Sequence, residues 1–245
     1  MSLPPADAVM ARRRTALDEL DLFPTPPWAT RAFVFEWLAP LLKDRKGPLT
    51  TVWEPAAGLG HMVGVLREHF SRVHASDVHD WGPGYETGSF VGGALEQIAR
   101  CPFTPDWIIT NPPFNQSVEF ARRALETATQ GVALLCRTGW IEGAERYREL
   151  FGPRPPSYAI QYAERVPMVK GRWDPTASTA TAYMWFVWDR EASHETKLQW
   201  LPPGRRERWT RNDDRARFAH QVDAVEAPLF DGADWIDPQI DGGAS

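Results

Sequence analysis

The sequence predicts a doubly wound α/β fold, with a mostly parallel sheet covered by helices on both faces and an antiparallel edge strand. Three observations predict it. From residue 51 onward, short apolar runs alternate with stretches of helical periodicity, the mark of strand–helix–strand units. The first run, Thr51-Val52-Trp53, ends at Glu54 and passes directly into a glycine-containing turn, Glu54-Pro55-Ala56-Ala57-Gly58-Leu59-Gly60. The last two runs, Ala159 to Val166 and Ala182 to Trp188, have only a Gly- and Pro-containing loop between them. Without a crossover helix such a pair runs antiparallel.

The elements follow in order. Trp28, Ala32, Phe35, Leu38 and Leu42 recur at helical spacing ahead of the first strand. A helix is expected from about His61 to Phe70, and a strand from Val73 to Asp77. Residues Trp81 to Gly93 are rich in glycine and read as loop, followed by a helix over Ala94 to Arg100. Asp106 to Thr110 is a buried strand running into Asn111-Pro112-Pro113-Phe114. Helix (Ser117 to Ala128) and strand (Val132 to Cys136) alternate again, and Ala144 to Phe151 reads as helical. The domain therefore spans residues 21–190, behind a polar arm over 1–20. Residues 191–245 form an extension. Within it Gly204 to Arg217 holds six arginines against three acids, and Val222 to Ser245 carries acids but no Lys or Arg.

Composition narrows the function. At 245 residues and 43% hydrophobic content the chain can bury one well-packed domain. No apolar stretch approaches the roughly 20 residues of a membrane span, and no signal-peptide core is present, so a cytoplasmic protein without membrane association is expected. Cys101 and Cys136 have no metal spacing, and the six histidines show no ligand pattern, so neither metal nor hydrolytic chemistry is supported. The net charge of −5 counts against a nucleic-acid partner. Setting aside the acidic tail leaves a body near neutrality with local basic patches, which weakens that objection.

Three features fall at strand ends, where open α/β sheets bind ligands. In the turn Glu54 to Gly60 the glycines allow close approach of backbone to a ligand, and the helix after it starts with free N–H groups. The pattern is neither the dinucleotide fingerprint nor a Walker loop. Asp77 closes the second strand, where a carboxylate can accept hydrogen bonds from ribose hydroxyls. Asn111-Pro112-Pro113-Phe114 is the most specific of the three. The prolines alone make a rigid strand-ending turn, but that does not account for the Asn and the Phe together.

The ordered set resembles an amino-group DNA methyltransferase of the N6-adenine type, and the resemblance covers roughly residues 21 to 190. Phe23-Pro24-Thr25-Pro26 resembles that family's first cofactor motif, and Asn111 to Phe114 resembles its catalytic tetrapeptide. The motif order resembles the gamma arrangement. The resemblance implies a seven-stranded class I S-adenosylmethionine-dependent fold and double-stranded DNA as partner. It implies cofactor contacts from Phe23, Thr25, Pro26, Glu54, Pro55, Ala56, Gly58, Gly60, Asp77 and Phe90. Ser89 stands where the family often has an acid. Asn111 and the Pro112 carbonyl would accept the two amino hydrogens of adenine, Pro113 would stiffen the loop, and Phe114 would stack on the base. The base must then leave the duplex. Trp140, Arg172 and Trp173 are weaker substrate-side candidates.

Other readings stay open at this stage. Methyltransferases of ribosomal RNA guanine and of protein glutamine carry similar tetrapeptides, and a non-catalytic nucleic-acid-binding protein can retain the fold. A compact enzyme of this kind gains DNA footprint by forming a homodimer. Residues Arg137 to Ser157, Val169 to Thr181 and Gly204 to Arg217 are the surface left for DNA.

Overall fold

Strands buried on both faces need helices above and below them, and the chain supplies both. The computed structural model describes residues 21–43, 45, 50–93, 97–193 and 195–218. Helix α1 (Pro27–Phe33) runs on through a π-helical turn (Val34–Leu38) into α2 (Ala39–Lys43). Strand β1 (Thr51–Glu54), α3 (His61–Leu66), β2 (Arg72–Asp77) and the two-residue β3 (Glu86–Thr87) form the first half. Then come β4 (Trp107–Thr110), α4 (Ser117–Thr127) and β5 (Gly131–Arg137). A short α5 (Ala144–Arg146) leads through a π-helical turn to β6 (Tyr158–Tyr162) and β7 (Tyr183–Asp189). The described chain ends with β8 (Lys197–Leu201), α6 (Arg205–Trp209) and α7 (Asp214–Phe218).

The eight strands lie in the order β3-β2-β1-β4-β5-β7-β6-β8. Only β7 runs against the others, pairing antiparallel with both β5 and β6. From β1 the chain first builds outward through β2 and β3, then returns to place β4 on the other side of β1. This is the switch point at which such sheets bind ligands. Side chains alternate across the sheet. On one face Trp28, Phe33 and Leu38 pack with Trp107, Ile109, Leu135, Ile160 and Trp185. On the other, Phe120, Ala121 and Ala124 of α4 pack with Trp53, Ile108, Leu134 and Phe186.

The doubly wound fold is as expected, with three corrections of detail. There are eight strands among the described residues, not seven, because β8 adds parallel to β6 at the outer edge. That strand escaped notice because its alternating residues Leu198 and Trp200 face solvent, 51% and 59% exposed. It also carries the sheet past residue 190, to Leu201. Second, the helix beginning at His61 stops at Leu66, four residues early. Third, of the helix expected over 94–100, residues 94–96 lie outside the described residues, while Ile98 forms a parallel bridge to Ser89. The arm over 1–20 and the acidic tail also lie outside them. No described helix is long and apolar enough to cross a membrane.

Candidate active site

The carboxyl ends of β1, β2 and β4 bring Glu54, Asp77 and Asn111 to one rim of the sheet, and a cavity of about 200 Å³ opens there. Residues 21–25 form one wall and the loop 54–59 another, with Asp77, Phe90 and Asn111 between them. The loop can come this close because of two glycines with positive φ. At Gly58 (φ +51°) a Cβ would stand 2.9 Å from Leu22 Cδ1, and at Gly60 (φ +83°) it would collide with the Tyr85 hydroxyl. Gly60 lies behind the cavity and starts α3 rather than lining it.

Two carboxylates set the electrostatics. Glu54 is 1% exposed and its Oε2 has no hydrogen-bond partner. Burial pushes its carboxyl well above the ordinary carboxylate range, and the charge of Asp77 adds to this, while the Thr110 hydroxyl and the Asn111 backbone N–H offset it in part. Asp77 is raised too, again chiefly by burial. Its Oδ2 accepts from the Gly58 N–H at 2.8 Å, and its Oδ1 from the His79 N–H (3.0 Å) and Trp81 Nε1 (3.1 Å). A carboxylate offers about four lone-pair directions, so about one remains on Oδ2 for a ligand hydroxyl.

Asn111 is held by its amide nitrogen. Nδ2 donates to the Phe23 carbonyl (3.0 Å), to Thr25 Oγ1 (3.2 Å) and to Met168 Sδ (3.7 Å). A carbonyl and a thioether can only accept, which fixes the orientation of the amide. The opposite atom, Oδ1, is buried with no partner. The segment 21–25 is itself tied down, because the Gly171 N–H donates to the Leu22 carbonyl and the Phe114 N–H to Asp21 Oδ2.

Of the expected cofactor residues, Phe23, Thr25, Glu54, Pro55, Ala56, Gly58, Asp77 and Phe90 line the cavity, and Gly60 and Pro26 do not. Pro26 caps α1 and faces a second, open cleft beside Trp28 and Trp173. In the tetrapeptide, Asn111 and Pro113 line the cavity, Pro112 is buried, and Phe114 is half-buried against the core and Phe23, ring centroids 5.2 Å apart. The weaker candidates are not brought to it. After β5 a short 3-10 turn returns Trp140 to the core, where Nε1 donates to Ser117 Oγ at 2.7 Å and the ring meets Phe186 edge-on. Arg172 lies near Asp174 (3.9 Å), and Trp173 stands edge-on to His61. Sequence reasoning missed Asp21, Trp81 and Met168. Trp81 sat in a glycine-rich stretch, and Asp21 and Met168 act only through folding across 93 and 57 residues of chain.

The arginine-rich segment is largely occupied within the molecule. Arg205 and Arg208 pair with Glu36, Arg211 and Arg217 with Glu68, and Arg206 donates to the carbonyls of Pro175 and Ala177. Among the described residues no three His, Cys, Asp or Glu side chains gather where a metal ion could sit.

Neither a protein-family model nor a curated protein matches the chain. Solved structures do match. One is a modification subunit of a type I restriction enzyme from Vibrio vulnificus (TM-score 0.51, 13% identity, 89% of this chain and 58% of that chain). Another is the M protein of the type I restriction enzyme EcoKI (TM-score 0.50, 12% identity, 79% of this chain and 52% of that one). A third, from Listeria monocytogenes, is described as a class I S-adenosylmethionine-dependent methyltransferase (TM-score 0.46, 9% identity, 71% and 64%). The chain thus spans less than two thirds of each of these proteins. The likeness to the first two shows a shared fold, the doubly wound, mostly parallel sheet described above.

Proposed function

We propose that the protein transfers a methyl group from S-adenosylmethionine to the N6 amine of an adenine flipped out of double-stranded DNA. The observation that carries this reading is the buried Asn111 Oδ1, an acceptor without a donor, whose companion Nδ2 is spent on three other groups. A buried acceptor left unmet costs stability, and a substrate amine hydrogen would supply the donor.

The cavity suits the cofactor. Glu54 Oε2 is a second buried acceptor without a partner and would take an ammonium group. Asp77 Oδ2 retains room for a ribose hydroxyl, and the glycine at 58 lets the backbone approach. When bound, S-adenosylmethionine supplies an electrophilic methyl group on a sulfonium. The chain's own part is positioning. Asn111 Oδ1 and the Pro112 carbonyl each accept one amino hydrogen, which localises the nitrogen lone pair toward the methyl group. Alignment and fixed dipoles lower the barrier, and the surplus proton leaves to water after transfer. Two of the matching structures are described as restriction–modification proteins, which supports DNA over RNA or protein as substrate.

The test is transfer from labelled S-adenosylmethionine to unmethylated duplex DNA by wild type and Asn111→Ala. Loss of one preorganised polar group of this kind costs about 10²–10³ in rate, read at saturating cofactor because Asn111 Nδ2 also holds Phe23 and Thr25. Equal rates would remove Asn111 from the chemistry. Cofactor binding without transfer to any DNA would move the substrate to RNA or protein amides.

A further inference from the structure

Arg137 ends β5 at the same rim of the sheet as the tetrapeptide, and its guanidinium carbon stands 4.2 Å from the centre of the Phe114 ring. Phe114 is half-buried against the core, and two further groups meet its ring, Phe23 and Arg137. Phe23 belongs to the segment whose carbonyl is hydrogen-bonded to Asn111. Arg137 is exposed and, unlike Arg205, Arg208, Arg211 and Arg217, pairs with no carboxylate among the described residues. Its other neighbour is Tyr183, opposite it in the β5–β7 ladder, whose hydroxyl it meets.

The geometry points to Arg137 as a placeholder for the target base: it covers the Phe114 ring while the site is empty, and on base entry it swings out to pair with the backbone phosphate of the extruded nucleotide. The inference rests on the nucleic-acid reading above and extends it to a residue outside the tetrapeptide. The exchange runs in the right direction. Stacking of a nucleobase on an aromatic ring is stronger than an exposed cation–π contact, so the base displaces the guanidinium and not the reverse. A cation without an acidic partner, released beside a flipped nucleotide, has the phosphate as its nearest anion. Arginine suits both states, since its planar group stacks on rings and forks onto phosphate oxygens.

The test compares wild type, Arg137→Met and Arg137→Lys. Methionine keeps an apolar cover on Phe114 and removes the charge, and lysine keeps the charge without the planar fork. Affinity for a labelled, unmethylated duplex is measured by anisotropy across a salt series, alongside kcat and cofactor affinity. The methionine variant should lose affinity for DNA, and its log–log salt slope should be shallower by about 0.9, the loss of one phosphate contact. The lysine variant should regain the slope, and cofactor affinity should stay unchanged in both. A wild-type slope in the methionine variant would overturn the proposal while leaving methyl transfer to adenine intact. Loss of cofactor affinity with an unchanged slope would likewise overturn it, as a merely structural role. Wild-type protein that neither binds nor methylates DNA would remove the substrate reading, and this proposal with it.

Discussion

At the scale of single residues, the site is a set of buried acceptors waiting for donors. Glu54 is the clearest case for a measurable cost. Its native carboxyl holds a proton more tightly than the unfolded one, so native protein binds more protons just above the ordinary carboxylate range. Stability conferred by the protonated form is therefore lost as pH rises through that range toward the raised native value. In the empty protein at neutral pH, Glu54→Gln should raise the melting temperature, by about 2–4 °C for each kcal/mol of relieved burial cost. The same change should weaken cofactor binding, because a neutral amide attracts an ammonium group less. Calorimetric melting with and without cofactor checks both. An unchanged melting temperature together with full affinity would mean that Glu54 is neither strained nor a ligand.

At the scale of elements, α1 follows directly on the segment 21–25 and is tied to the end of the domain. Arg31 on this helix is fully buried and binds Glu68 after α3 at 2.8 Å and Asp214 on α7 at 2.5 Å, with a third bond to the Trp209 carbonyl. Burial alone would pull its guanidinium down, but the two carboxylates hold it above its ordinary value. Removing one member of a buried charge network leaves the others unpaired, at a cost of about 3–5 kcal/mol. Arg31→Met should therefore lower the melting temperature by roughly 10 °C. Scanning calorimetry reads this directly, and a loss of only a degree or two would show that the network is not a clamp. Such tertiary ties are what sequence periodicity cannot see. The strands β1, β2, β4, β5, β6 and β7 and helix α4 were legible because each is a run of one period with clear stops. Edge strand β8 was not, because two of its three apolar residues, Leu198 and Trp200, face solvent. The early end of α3 was not either, since Phe70 falls one helical turn beyond Leu66 and extends the apolar spacing.

At the scale of the whole molecule, the candidate site was legible wherever a residue acts from its own strand end. Glu54, Asp77 and Asn111 meet because parallel strands place their carboxyl ends together, and that follows from strand–helix alternation. What was not legible is which side chains bend back. Trp140 has the sequence setting of a substrate contact but turns into the core through a 3-10 turn, and Met168 sits in the loop before β7 yet reaches Asn111. The basic segment after residue 204 reads as a DNA surface in one dimension, and in three dimensions four of its six arginines pair with Glu36 and Glu68. The measurement that tests the central claim most directly is the identity of the methylated product after incubation of unmethylated duplex DNA with labelled S-adenosylmethionine. Digestion to nucleosides followed by mass spectrometry should give N6-methyladenine from wild type and almost none from Asn111→Ala. A methylated pyrimidine, a methylated guanine, or equal yield from the two proteins would contradict the account.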